Sequence, residues 1–356
     1  MRIQLWLCVT IMAFPWSPSA GNPRPASGTE NIPNLVADST LVCKGEVTEA
    51  PDVTSTPDTA PPHLTAIALV EVSTCFKGDP PPSNVIPVLF DGVIPVAPSP
   101  YVVLRRGDYR LFFLKPQDDT SGKYVMADQW FGQLPISRLL AARTRDADPL
   151  RQLELDLKAG LQDADHDRLL DSIRMLGNMR HLQSTAELLA LLDSPDALVR
   201  TYVYQALLRL HDYSVLQEVD QWLETQPEPP HELLLPRDAL FEMQFRLILE
   251  IALIRDPATV PVLLRLVNLR SAVMRGQVLQ ALRAIRSPQS APSLLQLLDD
   301  PDADNGYAAM QALIELSGGG PIDWVPSWPE FRRNPAYYAA RCREWWQTEG
   351  QQKMHR

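Results

Sequence analysis

The side chains best suited to acid–base or metal chemistry are six histidines, His63, His166, His181, His211, His231 and His355, scattered through 356 residues. None stands near a second His, Cys or Glu at metal-ligand spacing, so the pattern supports no zinc site, and no cofactor is expected. Two acidic runs open like calcium loops. In Asp163-Ala164-Asp165-His166-Asp167, Arg168 occupies the place that requires Gly, and Arg174 the place that requires a bidentate acid. Asp300, Asp302 and Asp304 begin the second run, which puts Asn305 and Gln311 at those two places. Solvated turn and helix-cap carboxylates account for both. There is no Gly-x-Ser-x-Gly elbow, no phosphate-cradling loop followed by Lys-Ser/Thr, and no Ser, His and Asp set to nominate. Ser317-Gly318-Gly319-Gly320 runs into Pro321 and reads as a chain breaker, not an oxyanion hole. The expectation is a protein that binds and does not catalyse.

Of the four cysteines, Cys8 lies in a first segment that reads as an export signal. Arg2 supplies a minimal positive region, Ile3–Phe14 is an almost unbroken apolar run, and Pro15 to Ala20 gives breakers and small residues, with cleavage expected after Ala20. A dozen apolar residues are too few to cross roughly 30 Å of hydrocarbon, so no stable membrane insertion is expected after cleavage. The expected location is the periplasm or the exterior of a bacterial envelope. In such an oxidising compartment, Cys43 and Cys75, in neighbouring β-prone segments, are expected to form a disulfide; the alternative is a pair of buried thiols. Cys342 remains.

Net charge is −10, and no run of Lys or Arg stands out. Phosphate neutralisation needs a basic footprint, so nucleic acid is excluded as a partner and an anionic membrane surface is disfavoured. Apolar residues make up 45% of the chain, enough for buried cores. The 33 prolines cluster in the first third and in a few loops.

These residues need elements to position them. Gly21 to Asn34 is Pro- and Asn-rich and is expected to be a flexible lead-in. Short β-prone runs follow at Leu41–Val47, Thr65–Cys75, Val85–Phe90, Tyr109–Leu114 and Tyr124–Met126, separated by Gly- and Pro-rich turns. Five such strands predict a small antiparallel barrel or sandwich over residues 35–136. Cys43-Lys44-Gly45-Glu46-Val47, then Phe76-Lys77-Gly78 and Gly107-Asp108-Tyr109-Arg110-Leu111-Phe112-Phe113-Leu114, resemble the netrin-like and metalloproteinase-inhibitor-like modules. The resemblance implies an OB-type barrel. Metalloproteinase inhibition in that family depends on a cysteine at the mature N-terminus, which this chain lacks.

From Ile136 onward helix formers take over. Ser137–Ala142 and Asp148–Leu161 are expected as linking helices over residues 137–166. A solenoid is expected over 167–316, because Leu188–Leu210, Leu263–Ile285 and Leu294–Leu316 superimpose without a gap and repeat the triplet Gln-Ala-Leu. Leu188, Leu189, Leu191 and Leu192 form an apolar stripe too wide for one partner helix, so neighbouring pairs should bury it. Leu191-Leu192-Asp193-Ser194-Pro195-Asp196 with Val199-Arg200 resembles a HEAT repeat of the short bacterial kind found also in phycobilin lyases. Leu297-Leu298-Asp299-Asp300-Pro301-Asp302 repeats the turn, and Met274-Arg275 repeats the Val-Arg pair. The resemblance implies that Arg200 and Arg275 tether adjacent inter-helix turns, while Asn305-Gly306 suits a terminal unit.

Gln226–Pro236 interrupts a middle repeat with an apolar, proline-stiffened tip. Pro229, Pro230, Leu233, Leu234 and Leu235 form the candidate partner-binding loop, because arrays accept insertions on one face, often the binding face. The alternative is a loop folded onto its neighbours. Beyond the glycines, Trp324, Trp328, Phe331, Tyr337, Tyr338, Trp345 and Trp346 make an aromatic tail over residues 317–356, expected to cap the open end of the array. An aromatic ligand site, for sugars for example, is the competing reading.

The fold class expected is α+β in two modules: an N-terminal antiparallel OB-like barrel, then an all-α HEAT-repeat solenoid. The function expected is an exported scaffold that binds a protein or peptide, with the barrel as a second contact module. A protease inhibitor acting through the barrel, or an enzyme with a site in the barrel–solenoid cleft, are the alternatives.

Overall fold

A computed structural model of the chain describes residues 31–51, 65–91, 104–118, 120–128, 131–142, 148–180, 184–225, 239–269, 271–319 and 323–354. The export segment and the candidate loop at Pro229, Pro230, Leu233, Leu234 and Leu235 lie outside these residues.

β1 (Leu41–Glu49), β2 (Thr65–Lys77), β3 (Val85–Asp91), β4 (Tyr109–Pro116) and β5 (Tyr124–Met126) close into a five-stranded barrel. The order is β1-β2-β3-β5-β4, and β1 pairs antiparallel with both β2 and β4, which seals the ring. β3 runs parallel to β5. A sixth strand that the sequence reading did not anticipate, β6 (Gln133–Pro135), pairs with β4 along Arg110–Phe112. Closing a five-stranded ring needs sharp bends, and Gly45 marks one: a Cβ there would lie 2.3 Å from the Glu71 carbonyl oxygen, beside a register shift between Lys44 and Gly45.

The barrel is apolar on two sides. Cys43, Val47, Val70, Val88, Phe112 and Leu114 fill its interior. Val42, Phe76, Tyr109, Leu111 and Phe113 point outward and join a core continuous with the helices. Burial on both faces explains why β4 reads Leu-Phe-Phe-Leu without polar alternation.

Where a flexible lead-in was expected up to Asn34, the chain forms α1 (Ile32–Asp38). Asn31 caps it by accepting from the Asn34 N–H at 3.1 Å, Pro33 fits its first turn, and Ile32, Leu35 and Val36 are buried. Lys77 Nζ donates to the Val36 and Ala37 carbonyls at 2.7 and 3.1 Å.

The helix expected at Ser137–Ala142 is absent; the segment is irregular. Its backbone groups are committed elsewhere. Lys44 Nζ takes the Ser137 and Leu139 carbonyls at 3.3 and 2.6 Å, and the Ala141 N–H donates to Asp156 Oδ1 at 2.9 Å. α2 (Pro149–Gly160), capped by Asp148, then leads into α3 (His166–Asn178).

Four helix pairs follow. They are α4 (Thr185–Leu189) with α5 (Ala197–Arg209), α6 (Leu216–Thr225) with α7 (Ala239–Ile254), α8 (Val260–Leu266) with α9 (Ala272–Ile285), and α10 (Ala291–Leu297) with α11 (Ala303–Leu316). The longer second helices stack in chain order, α3 on α5 on α7 on α9 on α11. Gly177 lets α3 approach α5 closely, since a Cβ on it would meet the Ala206 Cα at 2.6 Å. α4 tightens into a 3₁₀ turn at Ala190–Asp193. The stripe is covered only in part: Leu188 is buried, but Leu189 stays exposed.

Gly318 and Gly319, at φ 91° and 70°, take the left-handed turn that ends α11. α12 (Trp328–Arg333) and α13 (Pro335–Trp345) then fold back over α11, burying Phe331, Ala339, Cys342, Trp345 and Trp346. Gly306 of α11 admits Phe331, whose ring carbon would lie 3.4 Å from a Cβ.

Candidate functional site

The inter-helix turns carry the acidic residues that resembled calcium loops, and the structure gives them local work. Asp165 Oδ1 accepts from the Asp167 and Arg168 N–H groups and caps α3; Asp302 Oδ1 accepts from Asp304 and Asn305 and caps α11. Asp196 caps α5 in the same way. Burial works against the Asp196 carboxylate, yet the Leu198 and Val199 N–H groups and His166 hold its pKa below the usual value. Asp163 is held down likewise, against burial, by the Ser137 hydroxyl and the Asp165 N–H. Among the described residues no group of three His, Cys, Asp or Glu could hold a metal ion.

Successive turns are linked. His166 Nε2 lies 2.8 Å from Asp196 Oδ2, joining the start of α3 to the turn before α5. Arg275 of α9 forks onto both oxygens of Asp300, at 2.7 and 2.8 Å, while its Nη1 donates to the Leu269 carbonyl at 2.7 Å. One guanidinium therefore fastens its own turn and the next, with the Asp300 side chain only 1% exposed. The Asp300 bond is the largest influence raising the Arg275 pKa. Arg200 behaves differently: it donates to the Ser194 carbonyl of its own turn at 2.6 Å. The turn that follows in the array, 226–238, lies outside the described residues.

A second set of polar links crosses the stacked helices near their C-terminal ends. Arg209 pairs with Glu250 through two bonds, at 2.9 and 2.6 Å, and reaches Asn178 Oδ1 at 3.2 Å, so α3, α5 and α7 share one guanidinium. Arg283 and Glu315 join α9 to α11. Tyr204 donates to Glu218 at 2.6 Å, and burial followed by that carboxylate raises its pKa well above the usual value.

Between the last two turns lies a groove of ≈ 700 Å³. Val267, Leu269, Leu297 and Pro301 supply apolar wall, Asn268 and Gln296 stand at its lip, and Asp302 and Asp299, the latter paired with Arg343 of α13, add acidic groups. The Arg275–Asp300 pair forms part of its lining. Hence the groove is fixed in shape by the same bond that joins the two repeats.

The disulfide between Cys43 and Cys75 is formed, with Cα atoms 4.0 Å apart at directly opposed positions of β1 and β2. Cys342 is buried, and burial pushes its thiol up from 9.0 to about 12. The sequence reading missed Lys44. Its side chain is wholly buried between β1 and α2 against Asp156. A lone lysine in a strand ordinarily faces water, so local sequence carried no signal of this role.

No curated protein matches the chain. Residues 232–314, which run through α7 to α11 and include both turns of the groove, match the family of HEAT repeats.

Proposed function

We propose that this protein is an exported, non-catalytic scaffold that binds a basic peptide segment of a partner protein through its solenoid, with the barrel as a second contact module. HEAT repeats commonly mediate protein–protein interaction. The observation that carries the reading is the groove between the last two repeats, apolar along its walls and acidic at Asp302 and at Asp299, whose charge is shared with Arg343. A helical or extended segment with an apolar side and flanking Lys or Arg complements both features. Export is supported by the apolar run after Arg2 and by the Cys43–Cys75 bridge, which suits an oxidising compartment. The likeness of the barrel's β1 and β4 segments to netrin-like modules supports the barrel's role as a contact domain.

The test is affinity capture from an envelope extract with the mature chain, set against an Asn268→Lys/Gln296→Lys variant. Both positions are exposed at the groove lip and cap no helix. The expected result is a partner retained by the intact chain and lost, by about tenfold or more in affinity, from the variant. A third bait with residues 226–236 replaced by a Gly/Ser turn reports separately on the proline-stiffened loop. Equal capture by the intact chain and the lip variant would overturn the groove assignment.

A further inference from the structure

The C-terminal cap has a surface that covering the array does not require. A continuous run of ring contacts leads from Trp328 to Tyr307 (5.6 Å between centroids), Phe331 (5.4 Å), Tyr338 (6.2 Å) and Tyr337 (5.0 Å). An arginine stands at each end. The Arg332 guanidinium lies over the Trp328 ring at 5.8 Å. Arg341 lies over Trp324 at 5.8 Å and donates to the Tyr337 hydroxyl at 2.9 Å. Phe331 is buried and anchors the run in the core, but Arg332, Arg341 and Tyr337 are exposed, Tyr337 by 49%.

Neither Arg332 nor Arg341 has an ion-pair partner among the described residues. Across Ser327–Trp345 four arginines stand against two glutamates, and with Arg343 engaged by Asp299 three arginines remain, in a chain whose net charge is −10. A local positive patch of Arg over Trp, with Tyr beside it, has the composition that dominates the energetics of protein interfaces. Stacking also pre-orients each guanidinium fork, which lowers the entropy cost of gripping a carboxylate.

We propose that this face, bounded by Arg332 on Trp328 and Arg341 on Trp324 and Tyr337, docks an acidic peptide segment of a partner protein. Charge complementarity selects the occupant. A neutral sugar would stack on a bare ring face, whereas both tryptophan faces here carry a guanidinium. An anionic bilayer would offer negative charge, but the remainder of this strongly acidic chain repels an extended anionic surface. A single acidic segment meets only the patch.

The experiment measures fluorescence anisotropy of a labelled Glu-rich peptide carrying two phenylalanines, with the mature chain at low and high salt. Its Gln-for-Glu counterpart, an oligosaccharide such as cellohexaose, and vesicles one-third phosphatidylserine serve as competing probes. The expected result is preference for the acidic peptide over its Gln counterpart, weakened by salt. Arg332→Gln/Arg341→Gln should lower affinity by about tenfold or more, while Arg332→Lys/Arg341→Lys, which keeps charge and loses the fork, should fall in between. The arginines are exposed, so an unchanged thermal midpoint is expected for both variants; each single Gln variant provides the same readout. Equal binding of the two peptides would overturn the proposal. So would unaltered binding in the Gln variants, or a preference for the sugar or the vesicles.

Discussion

Lys44 Nζ lies 2.9 Å from Asp156 Oδ2, with the two side chains 0% and 1% exposed. The pair crosses from β1 of the barrel to α2 of the helical region, and the lysine also takes two carbonyls of the connecting segment. Removing one partner strands a buried charge. Lys44→Met is expected to cost about 3–5 kcal/mol, whereas Lys44→Met/Asp156→Leu should recover only part of that loss, because the Ser137 and Leu139 carbonyls and the Ala141 N–H lose their partners. Urea denaturation of the two variants checks it; a single variant as stable as the parent would show that the pair does not stabilise the junction.

The Cys43–Cys75 bridge closes a loop with a sequence separation of 32. In the chain-entropy treatment such a crosslink stabilises by about 3–4 kcal/mol. Unfolding with and without reductant should differ by about that amount, and Cys43→Ala/Cys75→Ala should behave like the reduced protein. Coincident transitions would refute the expectation.

Arg275→Ala leaves Asp300, 1% exposed, without its guanidinium. The expected loss is about 3 kcal/mol, with Arg275→Lys intermediate because an ammonium cannot fork. Hydrogen exchange should rise at residues 268–272 and 299–302 first. A uniform rise through the molecule would mean that Arg275 does not act as a local fastener.

Cys342 supplies a pH test. Its thiol, with an ordinary value of 9.0, is pushed up to about 12 by burial, with Arg343 opposing. Above pH 9 the unfolded chain gives up this proton first, so folding stability is unaffected by the thiol below that pH. It then falls as pH rises toward 12, by about 1.4 kcal/mol per unit. The difference in stability between the native chain and Cys342→Ala isolates this slope from the other titrating groups. At pH 8 iodoacetamide should leave the folded thiol unmodified; rapid alkylation there would contradict its burial.

Much of the architecture was legible because it is periodic. Leucines at helical spacing and the repeated Gln-Ala-Leu triplet gave the array, and Gly- and Pro-bounded β runs gave five strands of the barrel. What stayed hidden is decided by contacts between segments far apart in sequence. Ser137–Ala142 has helix-forming residues, but Lys44 and Asp156 claim its backbone groups from outside. β6 is three residues long, too short for any period to register. Arg200 and Arg275 occupy the same place in the repeat, yet Arg275 finds Asp300 in the following turn while Arg200 bonds to its own. Leu189 shows the converse limit: the stripe foretold burial, but this last residue of α4 stays exposed. The lip of the groove was invisible for the same reason, since Asn268 and Gln296 become neighbours only when two repeats stack.

The barrel's outward face seals one end of the helical stack through Val42, Leu111 and Phe113, and the tryptophan-rich helices seal the other. Among the described residues, both terminal surfaces of the array are thus covered by dissimilar plugs. A longer array that kept both plugs would carry its extra units in the interior. Such a lengthening would carry the barrel and the aromatic plug farther apart without altering either, and the distance between them would then be set in steps of one helix pair.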